Sequence, residues 1–244
     1  MNHLAIDTAT EILSVALRVG SEVGPPESDR ARHHRDYVAV RDVGLKHTER
    51  LLPIVDALLS EAGIAARQLD IVSCTRGPGS FTGLRIGMAT AKGLAAAVAG
   101  AHDLERLPLV SVSTLDAMAR RIPEVGTIVL PVIDGKKGRF YGAAYFGGTR
   151  RTTDLDLPVD QLLSRARESV PEATRVIVTG PHAAAFAERA GSNDMVVDPA
   201  CRCGWAHVLL NEALLRLERD GFDSDGQGPD YARGSDAEPA RSTP

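Results

Sequence analysis

The stretch Ser73-Cys-Thr-Arg-Gly77-Pro78-Gly79-Ser80-Phe81-Thr82-Gly83-Leu84-Arg85-Ile86-Gly87-Met88 decides how this chain is read. An apolar run, Leu69 to Val72, precedes it, and an alanine- and glycine-rich run ending near Gly100 follows. The pattern predicts strand, glycine turn, helix, with Ser80 or Thr82 placing a side-chain oxygen on the orphan donors of the first helical turn. A glycine turn at a helix N-terminus gathers unpaired N–H groups and positive dipole, so it can hold a phosphate. It can equally be a tight turn that returns the chain onto its sheet. No Lys-Ser/Thr pair follows the last glycine, which excludes a Walker A loop. Along the helix Gly83, Gly87, Ala91, Ala95 and Ala99 recur every four residues and form one smooth face. Each interior glycine costs roughly 1 kcal/mol against alanine, and close approach of another helix would offset that, so the face predicts a helix–helix seam.

The composition narrows the class. The 244 residues suffice for one large domain or two lobes, and 43% hydrophobic with 25% charged residues is ordinary for a soluble globular chain. Aromatics make up only 4%, so the core must rest on aliphatic side chains. A formal net charge of −4 argues against a free-standing nucleic-acid binder, whose footprint is basic. Cys74, Cys201 and Cys203 give an odd count with no disulfide framework. Asp7 interrupts the one early apolar run, no signal peptide or membrane span is expected, and the chain reads as reduced and cytoplasmic.

Two stretches share a layout. His3 to Ile6 is a short apolar strand followed by Asp7-Thr8-Ala9-Thr10 and a second strand, Leu13 to Val19. Thr127 to Ile133 is again an apolar strand, followed by Asp134, the polar turn Gly135-Lys-Lys-Gly138, and a strand from Arg139. A repeat of strand, Asp, turn and strand is what a duplicated fold predicts. The basic run 30–35 precedes a third strand expected over 37–45 and reads as a solvated loop. A helix opens at His47-Thr48, with Leu51, Leu52, Val55, Leu58, Leu59 and Ala62 at helical spacing and Pro53 in or near its first turn. Further helices are expected over 155–168, 183–190 and 205–220. Cys201-x-Cys203 with His207 supplies only three ligands without the usual spacing, and reads as small thiols rather than a zinc site.

The run Arg76 to Gly87 closely resembles the signature of the TsaB (YeaZ) family, the non-catalytic partner in bacterial threonylcarbamoyladenosine modification of tRNA. The likeness extends over residues 3–19, 47–62, 73–99, 127–146 and 229–238, the last carrying a Pro-x-Tyr-x-Arg motif. Gly135 and Lys136 depart mildly from the family's Ala-Arg. The resemblance implies a two-lobed actin-like (ASKHA) α/β fold built on duplicated ribonuclease H-like motifs, with mixed sheets flanked by helices. Residues 1–104 would form the first lobe, 105–204 the second, and 221–244 a mostly extended tail; the helix at 205–220 would pack back on the first lobe.

It further implies a scaffold. The partner TsaD would transfer threonylcarbamoyl from its adenylate to the adenosine beside the anticodon of ANN-decoding tRNAs. A TsaE-type ATPase would reset the complex, and tRNA would be met only through it. The helices at 48–62 and 82–99 would dock the partner through His47, Leu51, Leu52, Val55, Leu58, Leu59, Gly83, Arg85, Gly87, Met88, Ala91, Lys92 and Ala95. The same surface would allow a homodimer in the free chain. No cofactor of its own is expected; ATP or ADP with magnesium would belong at the joint with the partner. Asp7, Thr8, Thr10, Gly79 and Asp134 are then a vestigial nucleotide site. In TsaD two histidines four residues apart bind a metal, but here His47 is followed by Leu51, so His47 reads as a capping or packing residue. The alternative is an actin-like ATPase or phosphotransferase that uses Asp7 and Asp134 with magnesium. A clear general base is missing from it.

Overall fold

The computed structural model describes residues 1–20, 34–101, 107–122 and 126–231. The basic run expected at 30–35 is described only at His34 and Arg35, and the C-terminal motif only as far as Tyr231. The chain begins with β1 (Asn2–Asp7), β2 (Ile12–Gly20), β3 (His34–Asp42) and α1 (His47–Ala62). It continues with β4 (Ile71–Gly77), α2 (Phe81–Ala101), β5 (Leu109–Ser113) and α3 (Thr114–Arg120). The second half contains β6 (Ile128–Lys136), β7 (Arg139–Gly142), β8 (Tyr145–Phe146), β9 (Thr149–Arg150) and β10 (Leu155–Pro158). Then come α4 (Val159–Ser169), β11 (Val176–Thr179), α5 (Ala183–Ala190), β12 (Met195–Val197) and α6 (Ala206–Asp220).

The two halves share one topology. The first sheet has the order β3-β2-β1-β4-β5 and the second the path β10-β7-β6-β11-β12. In each, the central strand pairs antiparallel with the hairpin strand that follows it and parallel with the strand on its other side. Asp7 closes β1, and Asp134 occupies the matching position near the end of β6. The internal repeat read in the sequence is therefore a repeat of whole sheets.

Helices arrange the core in layers. α1 and α2 cover the outer face of the first sheet, where Leu51, Val55, Leu58, Met88 and Ala91 pack with Leu4, Ile6 and Val72. α4 and α5 cover the second sheet likewise, with Leu162, Leu163 and Phe186 against Ile128 and Val178. Between the sheets lie α3 and α6, where Trp205, Leu209, Leu210, Leu115 and Met118 meet Ala5, Ala16, Val129 and Ile133. α6 follows the last strand of the second half, yet packs across β1, β2 and β5 of the first. That shared middle layer joins the lobes. The first sheet also reaches beyond residue 104, because β5 adds parallel to β4.

Some elements differ from expectation. The third strand starts and ends three residues early, its end set by pairing of Asp42 with Ile12 at the start of β2. Residues 155–158 are a strand on β7 rather than the first turn of a helix, and α4 begins only after Pro158. Because α1 begins at His47, Pro53 lies one turn deeper than expected, on the exposed side. The tail is extended from 221 but tied down: Asp223 donates its N–H to Leu109 O at 2.8 Å and Asp230 to Arg76 O at 2.7 Å.

Candidate functional site: the hairpin turn, the glycine loop and the interlobe cleft

The site begins at the turn between β1 and β2. Asp7 is fully buried, at 0% exposure. Its Oδ1 accepts from Ala9 N and from Thr75 Oγ1, each at 3.1 Å, and its Oδ2 from Ser14 Oγ at 3.3 Å. Ser14 Oγ in turn accepts from Trp205 N at 3.1 Å and Ala206 N at 3.0 Å, so the N-terminus of α6 rests on this hydroxyl. Burial pushes the Asp7 carboxyl above its ordinary pKa, and the bonds from Ala9, Thr75 and Ser14 pull it back in part. This carboxylate is a structural hub.

The glycine loop closes over the same turn. Ser80 N donates to Ala9 O at 2.6 Å, and Ser80 Oγ accepts from Gly83 N at 3.2 Å, which caps α2. Thr8 Oγ1 donates to Gly83 O at 2.8 Å. A Cβ on Gly79 would overlap Ala9 O, one on Gly83 would overlap Thr8 O, and one on Gly87 would overlap Thr8 Oγ1. These glycines let the hairpin turn sit directly on the helix. The loop thus forms a close turn packed onto the β1–β2 hairpin.

His47 completes the enclosure. It is buried at the start of α1, with Nε2 2.8 Å from Thr10 O. A carbonyl only accepts, so Nε2 carries the proton. Thr10 Oγ1 accepts from Ile12 N at 3.2 Å. Asp7, Thr8 and Thr10 are thus bonded within the chain, all three buried.

Asp134 is placed differently, on a cleft of about 660 Å³ between the lobes, opposite Ala9, Thr10 and Glu11. Its Oδ1 accepts from Lys136 N at 2.8 Å and its Oδ2 pairs with Lys136 Nζ at 3.0 Å. Partial burial raises the Asp134 pKa, but the bonds and charge of Lys136 outweigh it and the carboxyl lies below its ordinary value. Asp134 N donates to His182 Nδ1 at 3.1 Å, and His182 Nε2 stands 3.5 Å from Glu11 Oε2. Arg202 joins Glu11 at 3.1 Å and Asp42 at 2.6 Å. Glu11 thereby links the β1–β2 turn of the first lobe to His182 and Arg202 of the second half. Among the described residues no three His, Cys, Asp or Glu side chains group as a metal set would.

The expected docking residues divide sharply. His47, Leu51, Val55, Leu58, Leu59, Gly83, Gly87, Met88, Ala91 and Ala95 are buried inside this chain, because the wide stripe of α1 and the smooth face of α2 both pack on the first sheet. The expected helix–helix seam is a helix–sheet seam. Leu52 is 54% exposed, Arg85 is exposed and Lys92 half-buried. The outward ridge of α2 is a second small-residue row, Ala89, Gly93, Ala97 and Gly100, all exposed. Its near four-residue spacing was legible in the sequence, displaced from the first row by two residues. No helix is long and apolar enough to cross a membrane among the described residues.

Comparison with known proteins adds the relationship. The family model described as TsaD: tRNA N6-adenosine threonylcarbamoyltransferase matches residues 39–190. The Escherichia coli (strain K12) protein named tRNA threonylcarbamoyladenosine biosynthesis protein TsaB is 39% identical over 147 residues, 59% of this chain and 55% of that protein. The chain thus spans about half the length of the first curated relatives it matches, 55% and 51%. The Bacillus subtilis protein of the same name is 26% identical over 98% of this chain and 96% of its own length. The solved structure of YeaZ from Pseudomonas aeruginosa has a TM-score of 0.70 at 28% identity, covering 94% of this chain and 99% of that one. With these neighbours the duplicated sheets are an actin-like, ASKHA-type fold.

Proposed function

The chain belongs to the TsaD family and within it to the TsaB (YeaZ) branch, and from that premise we propose that it is a non-catalytic scaffold in tRNA threonylcarbamoyladenosine biosynthesis. In this reading it docks a TsaD-type transferase, which attaches threonylcarbamoyl to the adenosine beside the anticodon of ANN-decoding tRNAs. The observation that carries the reading is the seating of the Asp7–Thr10 turn. A phosphotransferase of this fold needs a carboxylate facing the cleft and loop amides free for phosphate. Here the Asp7 carboxylate accepts from Ala9, Thr75 and Ser14. The Ser80 amide is given to Ala9 O. Asp134, the second carboxylate, is tied to Lys136.

In this reading Asp7, Thr8, Thr10, Gly79 and Asp134 are a vestigial site, and ATP or ADP with magnesium belongs at the joint with the partner. Docking uses the outer faces of α1 and α2. Leu52 and Pro53 are exposed on the first, and Ala89, Gly93 and Ala97 on the second lie bare enough for a partner helix to approach closely. Alone, the same ridge pairs two copies. A TsaE-type ATPase acts on the assembled pair, and tRNA, a polyanion, is held mainly by the partner because this chain carries a formal net charge of −4. In this reading the protein works in the cytoplasm, alongside its tRNA substrate.

Co-purification with the TsaD-type protein of the same genome tests the proposal. A stable one-to-one complex is expected, lost in Gly93→Arg, where a side chain meets open space in the free chain and folding is preserved. Magnesium-dependent ATP turnover by the chain alone, with no complex under any nucleotide condition, overturns it in favour of the phosphotransferase.

A further inference from the structure

Residues 222–231 leave α6 and run back along one flank of α2. Phe222 to Asp225 lie beside Lys92, Ala96 and Ala99, and Lys92 Nζ donates to Asp225 O at 2.7 Å. At the other end Asp230 N donates to Arg76 O, and Arg76 Nε to Asp230 Oδ2, each at 2.7 Å. The Tyr231 ring stands 4.7 Å from that of Phe81. The Arg85 guanidinium lies over Phe81 at 3.8 Å while its Nε donates to Tyr231 Oη at 2.8 Å. At the first end Asp223 is buried, and its Oδ2 accepts from Ser111 N at 2.8 Å, so the segment also covers the open edge of the first sheet at β5.

The helix alongside has reason to need support. α2 carries Gly83, Gly87, Gly93 and Gly100 within 21 residues. The first two are explained by the close approach of Thr8, but Gly93 and Gly100 have nothing within 4 Å of a Cβ. Glycine is a poor helix former, since it gives up the most backbone freedom and leaves the helix backbone open to water. Yet these two lie on the outer ridge, where a rigid surface lowers the ordering cost of docking.

We propose that residues 222–231 are a splint for α2, which keeps the glycine-containing ridge formed before a partner arrives, with Tyr231, Arg85 and Phe81 as its clasp. The splint rests on the docking role proposed above, and it makes the C-terminal Pro-x-Tyr segment a positioning element of the interface. Its contacts converge on the helix flank and leave the ridge itself bare.

Hydrogen exchange on the full chain tests it, with Tyr231→Ala, Tyr231→Phe and Lys92→Met beside the parent. The expected result is amide exchange at least tenfold faster across α2 in Tyr231→Ala, with α4 and α5 unchanged. Tyr231→Phe keeps the ring on Phe81 and should fall between, while Lys92→Met should loosen chiefly the middle of α2. Unchanged α2 exchange in both Tyr231→Ala and Lys92→Met overturns the splint, as does equal acceleration in every helix. Affinity for the TsaD-type partner, measured in parallel, should drop at least fivefold in Tyr231→Ala. Faster exchange with unaltered affinity overturns its role in docking. A parent chain that binds no partner sinks the docking reading by itself, and the exchange data still decide whether the splint exists.

Discussion

Thr8 Oγ1 occupies the space that a Cβ on Gly87 would fill, and from there donates to Gly83 O at 2.8 Å. The β1–β2 turn is thereby locked against the first two turns of α2.

The lock makes Gly87 and Gly93 respond oppositely to one substitution. Gly87→Ala should destabilise the fold by about 1–3 kcal/mol through overpacking against Thr8. Gly93→Ala, in open space, should stabilise it by about 0.5–1 kcal/mol through helix propensity. Urea unfolding monitored by circular dichroism separates the two. Equal effects would mean that Thr8 does not confine Gly87.

Ser14 joins three elements, donating to Asp7 and accepting from the first amides of α6. Ser14→Ala should cost about 1–3 kcal/mol, because it leaves buried donors and a buried carboxylate short of a partner. Thermal unfolding gives the value. A loss within about 0.5 kcal/mol, as at ordinary surface positions, would show that the link is not needed.

His3 sets a pH dependence. Burial, with help from the Arg18 charge, lowers its pKa from 6.5 to about 4. The folded chain thus keeps the ring neutral, 2.8 Å from Ser73 Oγ, while the unfolded chain takes up a proton near 6.5. Its contribution is complete above 6.5 and is lost as pH falls toward about 4. The shift corresponds to about 3 kcal/mol. His3→Asn should flatten the stability profile across that window, and chemical unfolding at several pH values would reveal an unchanged slope if another group is responsible.

Adjacent leucines on α1 should part company. Leu51 is 1% exposed and Leu52 54% exposed. Leu51→Ala should lower stability by roughly 2–4 kcal/mol as a core truncation, whereas Leu52→Ala should change it by no more than about 0.5 kcal/mol. Pull-down with the TsaD-type partner should be weakened by the second substitution at unchanged melting temperature. Undiminished capture would remove α1 from the docking face.

Much of the architecture is legible along the chain. The strand–Asp–turn–strand pattern at Asp7 and again at Asp134 disclosed the duplication, because such a hairpin is specified by local alternation and turn residues. The Arg76–Gly87 run disclosed the strand–loop–helix unit, because glycine spacing and the Ser80 cap act within one helical turn. The small-residue row of α2 was equally visible, but not what it touches. A four-residue row marks a face open to close approach and is silent on whether a sheet, a partner helix or a hairpin turn fills it. Folding across the chain settled the rest: Thr8 fills the row at Gly83 and Gly87 while the first sheet covers Ala91 and Ala95, Asp7 bonds to Thr75 and Ser14, and Tyr231 returns to Arg85 across 146 residues. These contacts join segments far apart in the chain. They form because burying the two halves against a shared layer of α3 and α6 brings together groups that no local spacing relates.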